Sequence, residues 1–390
     1  MKLGVLAKTP LPEKVEEDYL NTLSWVEMAK YFDSISVIAV GKDKKTIVRR
    51  GKLRYWLSSG GGANTYRLSW AYFFYALRTG LALARKGEVD VWVASDVAVA
   101  GLAGVFLKFF THRPLIVHLQ GEIFNLPHDR FSRLRARVSS KLAFFVCSRA
   151  DRVRAVSEKI GGQALAAGIA AEKIVVLPSR CDLNLFDLEK WREKGKALQD
   201  ELGLSGSKIL LFVGSLNVSK GVTFILDAMV EIIGQYSEVR LVVVGDGPLE
   251  EELKKKAAAL SLSEHVIFYG RVSYLDVPKF LAAANIFLSP SLDEGMPRSV
   301  LEAMAMELPV VVTLVGGNPE IVEHGRTGYL IKPRDPRAIA ESVAKLLSDP
   351  ESSKRMGNEG RRIVQDRYSF QAQISNLAEV HYEVLRENKA

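Results

Sequence analysis

Two glutamates raise the first chemical question. Glu294 and Glu302 are separated by seven residues in the stretch from Ser289 to Ala305. There an apolar run ends, a polar loop carries Glu294, and a helical pattern opens near Arg298. A helix start presents free backbone N–H groups and the positive end of the peptide dipoles, so an anion such as phosphate can bind there. Two carboxylates beside such a site can accept hydrogen bonds from hydroxyls, those of a sugar and of a ribose. The pair also reads as an ordinary helix start with one glutamate in a solvated loop. A cation in a matching place changes the balance. The segment Gly214 to Gly221 follows another apolar run and opens another helix, and its Lys220 is a natural phosphate partner at such a turn. It is not a P-loop, because GxxxxGK[ST] is missing, and Gly245-Asp246-Gly247-Pro248 lacks the third glycine of a dinucleotide fingerprint. Gly316 and Gly317 permit close backbone approach after one more apolar run.

These residues become a site only if strands stand behind them. Apolar runs at 208–213, 239–244, 266–269, 286–288, 310–312 and 329–331 alternate with helical patterns at 223–233, 249–260, 277–283, 298–306 and 336–347. That alternation predicts βαβ units and a parallel sheet covered by helices on both faces. The first half repeats the theme with strands predicted at 3–7, 36–40, 91–94, 115–118, 152–156 and 174–177, and with a glycine-rich loop over Leu57 to Ala63. In such sheets ligands sit outside the carboxyl ends of the strands, where the candidate residues lie. The two α/β halves are expected to meet near residue 185.

The chain has 390 residues, 48% of them apolar and 25% charged, which suits a soluble two-domain protein with full cores. No apolar run approaches the roughly 18 residues that cross a bilayer. Cys147 and Cys181 stand alone, with no CxxC or Cys/His cluster, so a structural zinc or disulfide framework is not expected, and a reducing cytoplasm fits. Residues 1–185 carry 28 lysines and arginines against 16 acids, while the rest carries 25 against 29. The basic half points to an anionic partner or to a well-solvated surface. No aromatic-basic module supports a nucleic-acid partner.

The ordered set VGSLNVSKG, VVGDGP, FYGRV, LSPSLDEGMPRSVLEAMA and PVVVTLVGGNPEIVEHGRTGYLI resembles the C-terminal domain of the family 4 retaining glycosyltransferases of GT-B architecture. The first half resembles that family more faintly, through Val89–Trp92 with Ala94–Asp96, Leu115–His118, Ala150–Glu158 and Val176–Asp182. The resemblance implies two Rossmann-like parallel-sheet domains facing a central cleft. Residues 1–185 would form the acceptor-side domain, completed by a C-terminal helix over 372–390, and 186–371 the donor-binding domain. It implies that Glu294 approaches the donor sugar, that Glu302 holds the ribose, and that Lys220 binds the pyrophosphate. Gly214 and Ser215 would line the donor. Gly295, Met296, Ser299 and Val300 would face sugar and phosphates, with Pro297 between them lacking an N–H to give. Gly270, Arg271 and Val272 would hold the base edge, and His118 would reach the donor sugar from the other domain. Lys8, Asp96 and Glu122 are the acceptor-side candidates. The implied reaction is glycosyl transfer with retention from a nucleotide sugar to a glycan or lipid-linked acceptor, with no cofactor and no obligatory metal.

Two departures qualify the resemblance. Ser215 stands where the family usually has an arginine paired with the lysine, so a cation is lost unless Arg271, Arg298 or an arginine of the first half replaces it. Lys8-Thr9-Pro10-Leu11-Pro12 stands where a glycine-rich loop is usual. A GT-B nucleotide-sugar epimerase and a binding protein that has lost catalysis remain alternatives. Finally, residues 124–141 read as a basic amphipathic helix, with Phe131, Leu134 and Val138 on one face and Arg130, Arg133, Arg137 and Lys141 mostly on another. That pattern predicts either docking on an anionic membrane, on the cytoplasmic face, or an apolar face packed in the core with solvated arginines.

Overall fold

Alternating apolar strands and amphipathic helices close into two sheets in a computed structural model that describes residues 1–10, 25–40, 46–58, 65–124 and 133–388. The chain divides into one unit of residues up to Pro178 and from Ile374 onward, and a second unit of Ser179–Gln373.

In the first unit the described strands are β1 (Lys2–Pro10), β2 (Ser34–Val40), β3 (Thr46–Arg50), β4 (Leu53–Ser58), β5 (Val91–Ala94), β6 (Leu115–Leu119), β7 (Arg152–Ala155) and β8 (Ile174–Val176). They order as β3-β4-β2-β1-β5-β6-β7-β8, parallel except for the antiparallel β3–β4 pair. Among the described residues, four helices carry the crossovers from β4 through to β8: α1 (Thr65–Arg85), α2 (Val99–Thr111), α3 (Arg133–Arg149) and α4 (Glu158–Ala166). All four crossovers step in the same direction across the sheet. The right-handed rule for parallel connections therefore lays them side by side on one face. Every residue of β5 and β6 is buried, as strands covered on both faces must be.

The second unit holds β9 (Lys208–Val213), β10 (Val239–Val244), β11 (Val266–Gly270), β12 (Ile286–Ser289), β13 (Val310–Thr313) and β14 (Gly328–Ile331), in the all-parallel order β11-β10-β9-β12-β13-β14. Its helices are α5 (Leu188–Glu201), α6 (Val222–Gln235), α7 (Glu250–Ala259), α8 (Val277–Ala283), α9 (Arg298–Ala305), α10 (Asn318–Ile321), α11 (Pro336–Ser348) and α12 (Pro350–Ile363). Phe212, Leu226, Met229, Leu241 and Val343 lie at the centre of one core on this sheet. Strand order reverses between β9 and β12, which makes the carboxyl ends of those two strands the switch point where an open sheet takes its ligand.

Three features differ from the sequence reading. The hairpin β3–β4, turning at Gly51 with φ 56°, was not predicted, and the expected loop from Leu57 begins inside β4, with 59–64 outside the described residues. The unit boundary falls at Pro178, ahead of residue 185, because the following segment packs into the second unit. There the Cys181 N–H donates to the Tyr368 carbonyl (2.8 Å), the Phe370 N–H donates to the Cys181 carbonyl (2.9 Å), and Phe186 is buried. The chain returns to the first unit within α13 (Phe370–Glu387), where His381 is buried edge-on against Phe32 at 5.7 Å. Finally, α3 is described from Arg133 onward, with Arg130 and Phe131 outside the described residues. Its buried residues include Ala143, Val146 and Cys147, whereas Val138 of the expected apolar face is exposed and the side chains of Phe131 and Leu134 fall outside the described residues.

Candidate active site

The Lys220 turn follows β9 and the Glu294 loop follows β12, so the two flank the switch point of the second unit. Local chemistry fixes each. Asn217 caps a single 3₁₀ turn (Val218–Lys220), its Oδ1 accepting from the Ser219 N–H (2.9 Å) and Ser219 Oγ (2.6 Å). Gly221 ends that turn in the left-handed region (φ 66°), and a Cβ there would lie 2.2 Å from the Pro290 carbonyl oxygen, so only glycine fits on both counts. The Leu292 N–H donates to the Ser219 carbonyl at 2.7 Å, which ties the two loops together.

Across that tie Lys220 Nζ forms an ion pair with Glu294 Oε1, and Ser291 Oγ donates to the same oxygen at 2.8 Å. Glu294 and Gly295 are held from behind. The Gly317 N–H donates to the Gly295 carbonyl (2.8 Å), and Gly316, at φ 53°, approaches the Glu294 carbonyl so closely that a Cβ would stand 1.8 Å from it. Thr313 Oγ1 donates to the Ser291 carbonyl at 2.5 Å, and Asn318 Nδ2 to the Thr313 carbonyl at 2.7 Å. The turn after β10 packs on the Gly214–Leu216 turn through the same device, with Leu216 N–H donating to the Asp246 carbonyl at 2.7 Å.

Glu302 sits one turn into α9, buried, and accepts a hydrogen bond from Tyr274 Oη at 2.7 Å. Burial pushes its carboxyl above the ordinary glutamate value, opposed by the Arg298 guanidinium and by the Tyr274 hydrogen bond. Tyr274 is held far above the ordinary phenol by burial and then by the Glu302 charge. Burial, and after it the Glu302 and Asp182 charges, likewise keep the Cys181 thiol protonated. Met296 and Pro297 are buried, and Ser179 joins them through Oγ donating to the Met296 carbonyl at 3.2 Å. Ser215 Oγ accepts from Asn217 Nδ2 at 2.9 Å. Arg271 is exposed and lies 3.8 Å from Asp246, while Gly270 closes β11 at φ 86° with Val272 in the turn that follows.

In the first unit the sequence candidates stand apart in separate local roles. Asp96 Oδ1 accepts from the Ala98 N–H at 2.8 Å, Glu122 pairs with Lys159 at 2.5 Å, and His118 is buried in β6. Lys8 lies on β1, and its side chain falls outside the described residues.

Three site residues were not read from the sequence. Tyr274 and Ser291 flank motifs that were read, but nothing in their spacing marks them. Arg180 lies over the Phe370 ring at 4.9 Å, with a buried Nε that has no hydrogen-bond partner among the described residues. Burial, and then repulsion from Arg298, holds its pKa at about 10. Among the described residues it has no acidic partner, which leaves the guanidinium able to pair with an anion.

The profile of glycosyl transferases group 1 matches residues 195–363, and that of the glycosyl transferase 4-like domain matches residues 41–180. The chain is 32% identical over 224 residues to spore coat protein SA of Bacillus subtilis, covering 54% of this chain and 59% of that one. It is 32% identical over 193 residues to N-acetyl-alpha-D-glucosaminyl L-malate synthase of Bacillus anthracis, covering 49% and 50%. The chain thus spans about half the length of these curated relatives. HepE of Anabaena, solved with UDP-glucose, superposes with a TM-score of 0.78 at 22% identity, covering 98% of this chain and all of that one. Sucrose-phosphate synthase of Thermosynechococcus elongatus gives 0.83 at 18% identity, over 99% and 100%. The fold is GT-B, two Rossmann-like parallel-sheet units. The chain belongs to the group 1, family 4 glycosyltransferases.

Proposed function

We propose that the protein is a retaining glycosyltransferase that moves a sugar from a nucleotide-sugar donor to an acceptor hydroxyl. The observation that carries this reading is the Lys220–Glu294 pair at the β9/β12 switch point, beside the start of α9. A donor diphosphate draws Lys220 toward its β-phosphate and leaves Glu294 free to accept from the sugar hydroxyls. The α9 N-terminus, with Ser299 and Val300 in its first turn, faces the phosphates, and Glu302 takes the ribose. As the leaving group departs, negative charge grows on the β-phosphate, where Lys220 and the helix dipole act most strongly. Arg180 and Arg298 supply the cations missing at Ser215. With that much fixed positive charge the reading needs no obligatory metal. Its retention follows a front-side path in which the departing phosphate helps deprotonate the acceptor. His118 is the first unit's candidate for the donor sugar, and Lys8, Asp96 and Glu122 are its candidates for the acceptor. The acceptor is a lipid-linked or phosphate-bearing molecule met at a membrane surface, in keeping with the basic first half. UDP-glucose bound to the HepE neighbour makes UDP-sugars the first donors to try.

Ser215 favours the second reading, a nucleotide-sugar binding protein with weakened catalysis. One experiment separates them. A panel of UDP-, GDP- and ADP-sugars is screened for thermal stabilisation, since a ligand at 100 times its Kd adds about 2.7 kcal/mol. The stabilising donor is then followed for release of nucleoside diphosphate, and the anomeric configuration of the product is read by NMR. Slow release with no acceptor and a retained configuration support the transferase. Stabilisation without release supports the binder, and no stabilisation by any donor overturns both.

A further inference from the structure

The outer face of α1, α2 and α3 in the first unit carries an aromatic surface that no part of the transfer chemistry uses. Trp70 and Phe74 on α1 are 61% and 64% exposed, and Phe109 and Phe110 on α2 are 72% and 56% exposed. They are not scattered. Trp70 stands edge-on to Phe73 (5.6 Å), Phe73 to the exposed Phe106 (5.7 Å), Phe106 stacks on Phe110 (6.5 Å), and Phe110 meets Phe109 edge-on (5.3 Å). The rings form one ladder across two helices, anchored by the buried Phe73. On the next helix, Val138, Phe144 and Phe145 are also exposed. Soluble chains seldom leave a contiguous apolar patch of this kind in water without a partner for it.

Charge says what the partner is. Helices α1, α2 and α3 contain nine lysines and arginines and no aspartate or glutamate. Arg78, Arg137, Lys141 and Arg149 are exposed, and the Arg149 guanidinium lies 5.7 Å over Phe145. Acids do occur in the rest of the first unit, so their absence from these three helices is local. Exposed aromatic rings among cations match the headgroup region of an anionic bilayer, where rings enter the interface and ammonium and guanidinium groups stay with the phosphates. A second copy of the chain fits poorly, because a two-fold contact would set the exposed Arg78, Arg137, Lys141 and Arg149 against the same cations of the other copy. A cavity of about 380 Å³ between α3 and α4, walled by Lys141 and Phe144, repeats the same pairing of a cation with a ring.

We propose that this face is a docking surface for an anionic phospholipid membrane, with Trp70, Phe74, Phe109 and Phe110 entering the interface. This deepens the acceptor side of the proposed function, yet it is tested with no donor or acceptor, so its failure leaves the transfer chemistry standing. The full chain is floated with vesicles of phosphatidylcholine alone or mixed with phosphatidylglycerol, at low and high salt. Wild type is expected to float only with the anionic vesicles. Phe109→Ser with Phe110→Ser should weaken that binding by at least about tenfold, with far-UV dichroism and melting unchanged. Trp70→Ser with Phe74→Ser carries the same test on the other helix if the first variant fails to fold. Replacing Arg137, Lys141 and Arg149 by Gln should weaken it comparably at low salt and little at high salt. Three outcomes overturn the proposal: no flotation of wild type with anionic vesicles, flotation untouched by the aromatic and charge variants, or a wild-type dimer that the aromatic variants convert to monomer.

Discussion

The two units treat their polar residues in opposite ways. In the second, Lys220, Ser291, Glu294, Glu302 and Tyr274 are paired with one another and held by backbone contacts that admit no Cβ. In the first, Asp96 caps its own turn and Glu122 pairs with Lys159, while an unusual concentration of charge and aromatic surface lies outside, on α1 to α3. Groups that must meet a transition state need positions fixed to a fraction of an ångström, which glycine-lined backbone supplies. A surface that meets a fluid partner needs only composition and approximate facing.

Glu294→Ala is the sharpest way to test that contrast. It should cut transfer by about a thousandfold while melting stays close to wild type, because the expected partner is a sugar. Glu88→Gln, which removes a local ion pair with Arg54 in the first unit, should change transfer by no more than a few-fold, and equal losses in the two variants would break the comparison. Lys220→Ala belongs with Glu294 and should lower kcat as well as raise KM; an unchanged kcat would make it a ground-state binding group only.

The buried titratable groups extend the contrast to pH. His381 in the first unit is held at about 4, by burial first and also by repulsion from Arg154, against an ordinary value of 6.5. The unfolded chain takes up that proton first, so stability should fall as pH drops from about 6.5 to about 4, by roughly 3 kcal/mol in all. Thermal melts across that window check it, and His381→Asn should flatten the slope. Glu302 has the opposite sense. Its carboxyl is raised, so the folded chain binds its proton more tightly than the unfolded chain, and stability falls as pH rises through the window above 4.5. Glu302→Gln should therefore raise the melting temperature at neutral pH and weaken nucleotide binding. A variant that loses both stability and binding would mark Glu302 as structural.

The smallest expected effect is a gain. Ser215→Arg should tighten nucleoside diphosphate binding by up to about tenfold if that place is open to a further cation. No gain would show that Arg180 and Arg298 already meet the need, and Arg180→Met should then weaken binding measurably in calorimetry.

Much of the second unit was legible because its strands are short continuous apolar runs and its site residues follow them directly. Lys220 and Glu294 could be found from strand ends alone, without knowing that they pair. Tyr274 could not, since only the packing of the segment after β11 against α9 brings its hydroxyl to Glu302. Arg180 reads in sequence as one more basic residue, and its burial beside Phe370 is a tertiary fact. The β3–β4 hairpin was within reach, as two short β-branched and aromatic runs across Gly51-Lys52, but the surrounding lysines and arginines obscured the alternation. The aromatic ladder escaped because Phe and Trp at helical spacing ordinarily signal a core face. Here the small residues Ala76, Ala100, Ala103 and Gly104 take the inside instead.

The chain's return to the first unit at Ile374 has a consequence for how the protein is made. A ribosome that has finished β8 must still synthesise the whole second unit before the helix bearing His381 emerges. At about 5–20 residues per second that interval is roughly 10–40 s. Through it the first sheet lacks its last helix, and Phe32 lacks the ring that packs against it. The second unit, continuous in sequence, can complete itself first, although it is translated second. The order of maturation is thus the reverse of the order of synthesis, and the basic, aromatic half spends longest as a nascent chain open to chaperones.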